Sequence, residues 1–157
     1  MSIKAIFLDV VGVLDLSGSR NAALIDNLEK IKQDHHLKII ITTNSTINQN
    51  NDPYGVTALA DLIVNSTPTT PKPSPEFWQS AYSQAIQLLP SLQINEVLVI
   101  DDRSDINSSA REFGFQTLHY TRGVSEGELN EIFSSDTEEA NTVLSSPEAV
   151  DKYFHNF

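Results

Sequence analysis

Several side chains that could do chemistry stand directly after apolar runs of this chain, at residues 5–8, 39–41 and 97–100. Another stands in residues 67–75, where four prolines stiffen the backbone because each fixes its own φ and restricts its predecessor. If the runs are parallel strands, their carboxyl ends share the sheet edge where open α/β sheets hold ligands. The set consists of three acids, two neutral hydrogen-bonding residues and one base: Asp9, Asp101, Asp102, Thr43, Asn44 and Lys72.

These residue types suit phosphoryl transfer. Two carboxylates about 4 Å apart repel by roughly 4 kcal/mol at an effective dielectric constant near 20, so they need a shared proton, the Lys72 ammonium or a divalent cation. Oxygen ligands without soft donors favour Mg²⁺, which keeps several waters and accepts a phosphate. A carboxylate would attack phosphorus, the cation and lysine would neutralise the developing charge, and a hydroxyl would hold a phosphate oxygen.

Plainer interpretations of individual residues stay open at this stage. Asp9 could cap a turn, and Thr43 could be an ordinary strand-end residue. His35 and His36 suit the dipole at the carboxyl end of a helix better than a metal site, because adjacent helical residues do not face each other. Trp78 lies beside an apolar helical stripe and is predicted to be a core residue.

The hydrophobic pattern predicts strands that alternate with helices. Helical spacing begins at Leu24, at Pro75 and at Ile106, and Gly114 is a typical carboxyl-terminal cap. A weaker segment at residues 59–64 is predicted to be a short helix that runs into a third strand. Residues 116–120 are predicted to form a last strand, and residues 128–133 a last helix. The expected fold is α/β, a three-layer sandwich with a central, Rossmann-like parallel sheet of about five strands.

Composition limits the kinds of function. The 157 residues carry a formal net charge of −11 and no cysteine, which argues against nucleic acid or anionic lipid as partners and excludes disulfides and thiolate chemistry. With no apolar run of membrane-spanning length and no recognisable leader, we expect a cytoplasmic protein. We expect one core domain over residues 1–133 and an acidic tail over residues 134–157 that is either helical or partly docked.

The ordered motifs resemble those of the haloacid dehalogenase superfamily, over roughly residues 4–120. The four blocks are Phe-Leu-Asp-x-x-Gly-Val-Leu, Ile-Thr-Thr-Asn-Ser, Lys-Pro-x-Pro-Glu-Phe-Trp and Val-Ile-Asp-Asp-Arg. Each block is a weak signal alone, whereas the ordered set is specific. The resemblance implies a central first strand, flanked by the second and fourth. It also implies roles for particular residues: Asp9 as nucleophile, Thr43 and Lys72 as catalytic and, with Asn44, substrate-binding groups, and Asp102, Asp101 and Asp9 as Mg²⁺ ligands.

Val11 departs from the family pattern. Phosphatases of the family carry a second aspartate there, two residues after the nucleophile, to protonate the leaving group. Because general acid catalysis contributes about 10²–10⁴-fold, or roughly 3–5 kcal/mol of barrier, the resemblance predicts a weakened enzyme, least impaired on acyl phosphates and other substrates with good leaving groups. The family residue also gives its backbone carbonyl to the metal, so Val11 stays among the predicted metal ligands.

The segments between the motifs, about residues 16–37 and 47–71, are too short to fold as a cap domain. The chain therefore resembles the capless subgroup, whose exposed sites often act on larger substrates or borrow a partner's surface as a lid. We expect a phosphorylated substrate, macromolecules included, and a protein partner as a candidate lid.

Two functional alternatives accompany the magnesium-dependent, phosphatase-like hydrolase. The first is a catalytically silent member that binds a phosphorylated ligand or a protein partner, which Val11 favours. The second is a dehalogenase-type hydrolase, which also lacks the second aspartate but normally carries an aromatic residue there and a large cap. A response-regulator receiver domain has similar ingredients, but its acid pair comes from the first strand, the reverse of the order here.

Overall fold

Five parallel strands form one sheet in the computed structural model, which describes residues 3–14, 21–44, 47, 50–52 and 55–120. The strand order within this part of the chain is β3-β2-β1-β4-β5, so the first strand is central and lies between the second and the fourth, as predicted. The strands are β1 (Ala5–Leu8), β2 (Lys38–Thr43), β3 (Leu62–Asn65), β4 (Val97–Asp101) and β5 (Gln116–His119).

The pairing register places the carboxyl ends of the central strands side by side. Leu8, the last residue of β1, lies opposite Ile41 of β2 and Ile100 of β4. Each residue of β1 is fully buried, since helices cover a parallel sheet on both of its faces. The residues that follow these strand ends are therefore neighbours in space.

Helices pack on both faces of the sheet, which confirms the three-layer prediction. The described residues contain helices α1 (Ala22–His35), α2 (Pro75–Leu88) and α3 (Ser104–Phe113). One face packs on α1, with Ile6 and Ile39 in the same buried cluster as Leu28. On the opposite face, the cluster around Phe7 includes Trp78, Ala81 and other buried residues of α2 and α3. Trp78 is a core residue, as predicted.

The helices begin and end at residues that the sequence singles out. The Ser74 side chain accepts a hydrogen bond from the backbone N–H of Phe77 at the start of α2, and Pro75 occupies the first turn. α1 ends at His36 in the left-handed region, with φ 53°, and α3 ends at Gly114, with φ 117°. The predicted helix before β3 is wrong, because the chain makes only a turn at residues 57–59. The carboxylate of Asp52 holds that turn by accepting hydrogen bonds from the backbone N–H groups of residues 56 and 57.

The described part of the chain contains no cap domain, since α1 is the only helix in its connections between β1, β2 and β3, and the other described residues there form turns and irregular backbone. None of its helices is long and apolar enough to cross a membrane. The predicted helix at residues 128–133 and the tail at 134–157 lie outside the described residues.

Candidate active site

The Asp9 carboxylate lies at the carboxyl end of the central strand. Its backbone N–H donates to the carbonyl of Ile100, 3.0 Å away, so β1 and β4 remain joined up to this point. The residue is 8% exposed, and its Oδ1 lies 3.1 Å from the Lys72 ammonium. Asp9 is therefore paired with a cation as well as positioned by the strand.

Lys72 connects three strand ends through its ammonium group. Its Nζ lies 2.7 Å from Oδ2 of Asp101, 3.1 Å from Oδ1 of Asp9 and 2.8 Å from the carbonyl oxygen of Thr42. Lys72 is only 3% exposed. A buried ammonium between two carboxylates is the arrangement that compensates buried charge.

Asn44 holds the backbone of Lys72 in place. Its amide Nδ2 donates to the Lys72 carbonyl at 3.3 Å, and its Oδ1 accepts from the Lys72 N–H at 3.2 Å. The hydroxyl of Ser109 donates to the carbonyl of Pro73, the next residue. The sequence suggested that prolines stiffen this loop, whereas the structure adds side-chain hydrogen bonds from Asn44, which directly follows β2, and from Ser109 of α3.

The end of β4 carries two acids in different environments. Asp101 is fully buried, and its Oδ1 accepts a hydrogen bond of 3.0 Å from the backbone N–H of Arg103. Its carbonyl accepts from the N–H of Tyr120 and from the buried amide of Asn107, at 2.8 and 3.0 Å. Asp102 instead lines the open cleft.

Three carboxylates converge at this edge. Asp9, Asp101 and Asp102 each offer an oxygen, and the three oxygens lie within 4.8 Å of one another. Three ionised carboxylates and the Lys72 ammonium would leave two excess negative charges, which a divalent cation would balance. The cluster could therefore bind a metal ion.

Burial controls protonation in the same cluster. It raises the pKa of Asp9 from 3.8 to about 7, although the neighbouring Lys72 ammonium acts in the opposite direction. Burial likewise raises the pKa of Asp101 against the lowering effects of Lys72 and of the hydrogen bond from Arg103. Without a bound cation, the cluster therefore retains a proton more readily than exposed carboxylates do.

Gly12 allows the backbone after β1 to approach Asp102 closely. Its φ is +83°, and a Cβ atom at this position would overlap the Asp102 carboxylate. Gly12 therefore combines a positive φ with close approach to a side chain of the cluster.

His119 contacts the backbone of the carboxylate cluster, a role that was not predicted from the sequence. Its Nε2 lies 2.8 Å from the carbonyl oxygen of Asp102, to which it can only donate. His119 ends β5 and lies opposite Asp101 in the strand register. In the sequence, the sign that His119 could reach the site was its position near the end of the predicted last strand, at residues 116–120.

The predicted site residues border a cleft of about 250 Å³ or lie directly beneath it. Thr43, only 1% exposed, and Val11, 55% exposed, both contribute to its wall. Asp101 and Lys72 lie beneath, in contact with Asp9 or with each other. The residues that line the cleft are Asp9, Val11, Thr43, Asn44, Asp102, Arg103 and Ile106.

Solved structures with the same fold include several hydrolases. An uncharacterized protein from Corynebacterium glutamicum superposes with a TM-score of 0.65 and 18% identity, over 87% of this chain and 98% of its own. A haloacid dehalogenase-like hydrolase from Streptococcus pneumoniae superposes with a TM-score of 0.56 and 19% identity, over 97% of this chain and 98% of its own. An enzyme of the haloacid dehalogenase family from Bacteroides thetaiotaomicron, in complex with magnesium and inorganic phosphate, superposes with a TM-score of 0.50 and 14% identity. The superposition covers 77% of this chain and 96% of its own.

Neither a scan against protein-family models nor a search of curated proteins found a match. The structural neighbours establish the class of the fold: the chain has the core fold of the haloacid dehalogenase superfamily.

Proposed function

We propose that the chain is a magnesium-dependent, phosphatase-like hydrolase without a cap, which works through an aspartyl-phosphate on Asp9. The observation that carries the proposal is the meeting of Asp9, Asp101, Asp102 and Lys72 at one sheet edge, under an open cleft. A nucleophile, a cation site and a fixed positive charge are the components that phosphoryl transfer needs.

Asp9 is the proposed nucleophile. One of its carboxylate oxygens would form a bond to phosphorus while the bond between phosphorus and the leaving oxygen breaks, and the electron pair would depart with that oxygen. Lys72 would keep Asp9 oriented and offset the charge that develops. Thr43 would hold a phosphate oxygen from the cleft wall, and Asn44 would contribute beside it while clamping Lys72.

The donor set fits Mg²⁺. Carboxylate oxygens are the hard ligands that this ion takes in proteins, and the protein lacks cysteine. Asp102 and Asp9 are the proposed direct ligands, with the Val11 carbonyl, while Asp101 supports them from its buried position. The bound ion would supply electrostatic stabilisation of the transferring phosphoryl group.

The test uses Asp9→Asn and a matched control. Phosphate release from an aryl phosphate with Mg²⁺ is expected to fall to background in Asp9→Asn, because the amide is a poor nucleophile. Asp34→Asn makes the same chemical change at an exposed position of α1 and is expected to retain the wild-type rate. Wild-type activity in Asp9→Asn would refute the assigned nucleophile.

A catalytically silent protein that binds a phosphorylated ligand or a protein partner is the second candidate. The exposed Val11 side chain in the cleft wall favours it, since no proton can be delivered from this position. The candidate requires that the wild-type protein neither releases phosphate nor becomes phosphorylated, and that Val11→Asp alone introduces turnover.

The remaining parts of the proposal concern the domain that carries the site, its location in the cell, its substrate and its partner. We propose a core domain over residues 1–133, a cytoplasmic location and a phosphorylated substrate, macromolecules included. The open cleft supports a protein partner as its lid. Increased turnover on addition of a candidate partner, at fixed substrate concentration, would test this last point.

A further inference from the structure

Val11 places a hydrocarbon side chain where the cleft opens. It is 55% exposed and lines the cleft together with Asp9, two residues earlier. Most large apolar side chains of the described residues are buried, so this exposure is unusual for the chain. Neither a proton donor nor a proton acceptor is available at this position.

The other described residues that line the cleft do not replace it. The Arg103 guanidinium is paired with Asp105 at 3.1 and 2.6 Å, and arginine does not lose its proton in proteins. The Asn44 amide bonds to the Lys72 backbone, while Ile106 is apolar. Asp102 belongs to the carboxylate cluster and is assigned to the cation, and the Thr43 hydroxyl in the cleft wall is assigned to a phosphate oxygen.

The proposed reaction has two steps, transfer of the phosphoryl group to Asp9 and hydrolysis of the aspartyl-phosphate. The two steps depend unequally on the acid or base that is missing at Val11. When an acyl phosphate reacts, the departing carboxylate is stable without a proton, so the first step needs no acid. Attack of water on the aspartyl-phosphate requires the water to lose a proton, and the residue that would act as acid in the first step would act as base in the second. Only the second step is therefore impaired for such a donor.

We propose that Asp9 accepts a phosphoryl group from acyl phosphates and retains it, because Val11 leaves the attacking water without a base. This inference rests on the proposed function and narrows its donor class. In the step, an Asp9 carboxylate oxygen bonds to phosphorus, the bond from phosphorus to the acyl oxygen breaks, and the electron pair leaves on the carboxylate. Release later requires water to add its oxygen to phosphorus and give up a proton to solvent, while the bond from phosphorus to the Asp9 oxygen breaks and the electron pair returns to the Asp9 carboxylate.

Acetyl phosphate with Mg²⁺ is the probe, and two readouts are taken from each reaction. Intact-protein mass spectrometry after an acid quench measures the fraction of chains that carry one phosphoryl group, and a colorimetric assay measures released phosphate. The variants are Val11→Asp, which introduces a titratable group, Leu88→Asp, which introduces the same group at an exposed apolar position that does not line the cleft, and Asp9→Asn. Because Val11 and Leu88 are exposed, both of their variants are expected to fold, and circular dichroism checks the fold of all three.

Wild-type protein and Leu88→Asp are expected to consume about one equivalent of acetyl phosphate quickly, to accumulate the phosphorylated form, and to release phosphate only slowly. Val11→Asp is expected to release phosphate at least about 100-fold faster, with a smaller phosphorylated fraction, and Asp9→Asn is expected to show neither signal. Steady release by the wild-type protein that depends on Asp9, without accumulation, would overturn the inference and leave the proposed function intact. Absence of both signals in wild type and in Val11→Asp would instead overturn the proposed function.

Discussion

The ends of strands β1 and β4 look alike in sequence, since each is an apolar run followed by an acid, yet they are built differently. At the β4 end, backbone and side-chain groups hold both the carboxylate and the carbonyl of Asp101, and Asp102 follows at once. At the β1 end, Asp9 is followed by Val10, which is buried, and by Val11, which is exposed.

The comparison separates two properties of the site. The described residues provide a cluster for holding charge, with three carboxylates and a buried ammonium. At the cleft mouth, the β1 end presents Val11, whose hydrocarbon side chain can neither donate nor accept a proton. Under the proposed function, the β4 end and Lys72 supply most of the charge that would hold the cation, whereas the β1 end supplies the nucleophile and would set the rate of turnover.

Lys72→Met is expected to have the largest effect, because it removes the cation shared by the two strand ends. Leaving Asp9 and Asp101 buried without compensation is expected to lower the free energy of unfolding by about 3–5 kcal/mol at pH 8. The loss should be smaller at pH 5, since burial raises both pKa values and the carboxyls can take up protons. Urea denaturation without metal measures both values.

Arg103→Met is the matched control for that experiment. It breaks the ion pair with Asp105, whose two side chains are 55% and 54% exposed. An exposed pair contributes less than about 1 kcal/mol. Equal losses in the two variants would mean that Lys72 does not compensate buried charge.

Gly12→Ala is expected to weaken metal binding through the contact between the two strand ends. A Cβ atom would overlap the Asp102 carboxylate, and the φ of +83° is unfavourable for alanine. We expect Mg²⁺ affinity, measured by titration calorimetry, to fall at least about tenfold, equivalent to about 1.4 kcal/mol. Gly55→Ala is the control, because Gly55 also has a positive φ, 64°, but does not line the cleft. If both variants bound Mg²⁺ equally well, Gly12 would have no role at the cluster.

The pH dependence of stability is expected to reveal the raised pKa of Asp9. Its pKa rises from 3.8 to about 7 on folding, so between these values the folded state binds more protons than the unfolded state. The contribution of Asp9 to stability is therefore greatest at low pH and is lost as pH rises towards 7, by at most about 1.4 kcal/mol per pH unit. Urea denaturation with a chelator at pH 4.5 and 7 measures this change, which Asp9→Asn should reduce. A wild-type slope no steeper than that of the variant would contradict the raised pKa.

The hydrophobic pattern was sufficient to predict the strands, the three α-helices within the described residues and the edge that carries the acids. Strands that are buried on both faces appear in the sequence as apolar runs. Because parallel strands bring their carboxyl ends together, the sequence was enough to predict that Asp9 and Asp102 lie near each other. The short helix before β3 was mispredicted, because Asp52 captures the backbone in a turn, a local competition that apolar spacing does not reveal.

The sequence by itself determined which groups are present and at which strand ends, including the absence of a proton-transfer group at Val11. Only the tertiary structure decided that Lys72, 63 residues after Asp9, lies between two carboxylates, that Asn44 clamps its backbone, and that His119 contacts the Asp102 carbonyl. The physical reason is that periodicity encodes which face of an element is buried. The path of a loop, and with it the distance between two charges, depends on packing between elements distant along the chain.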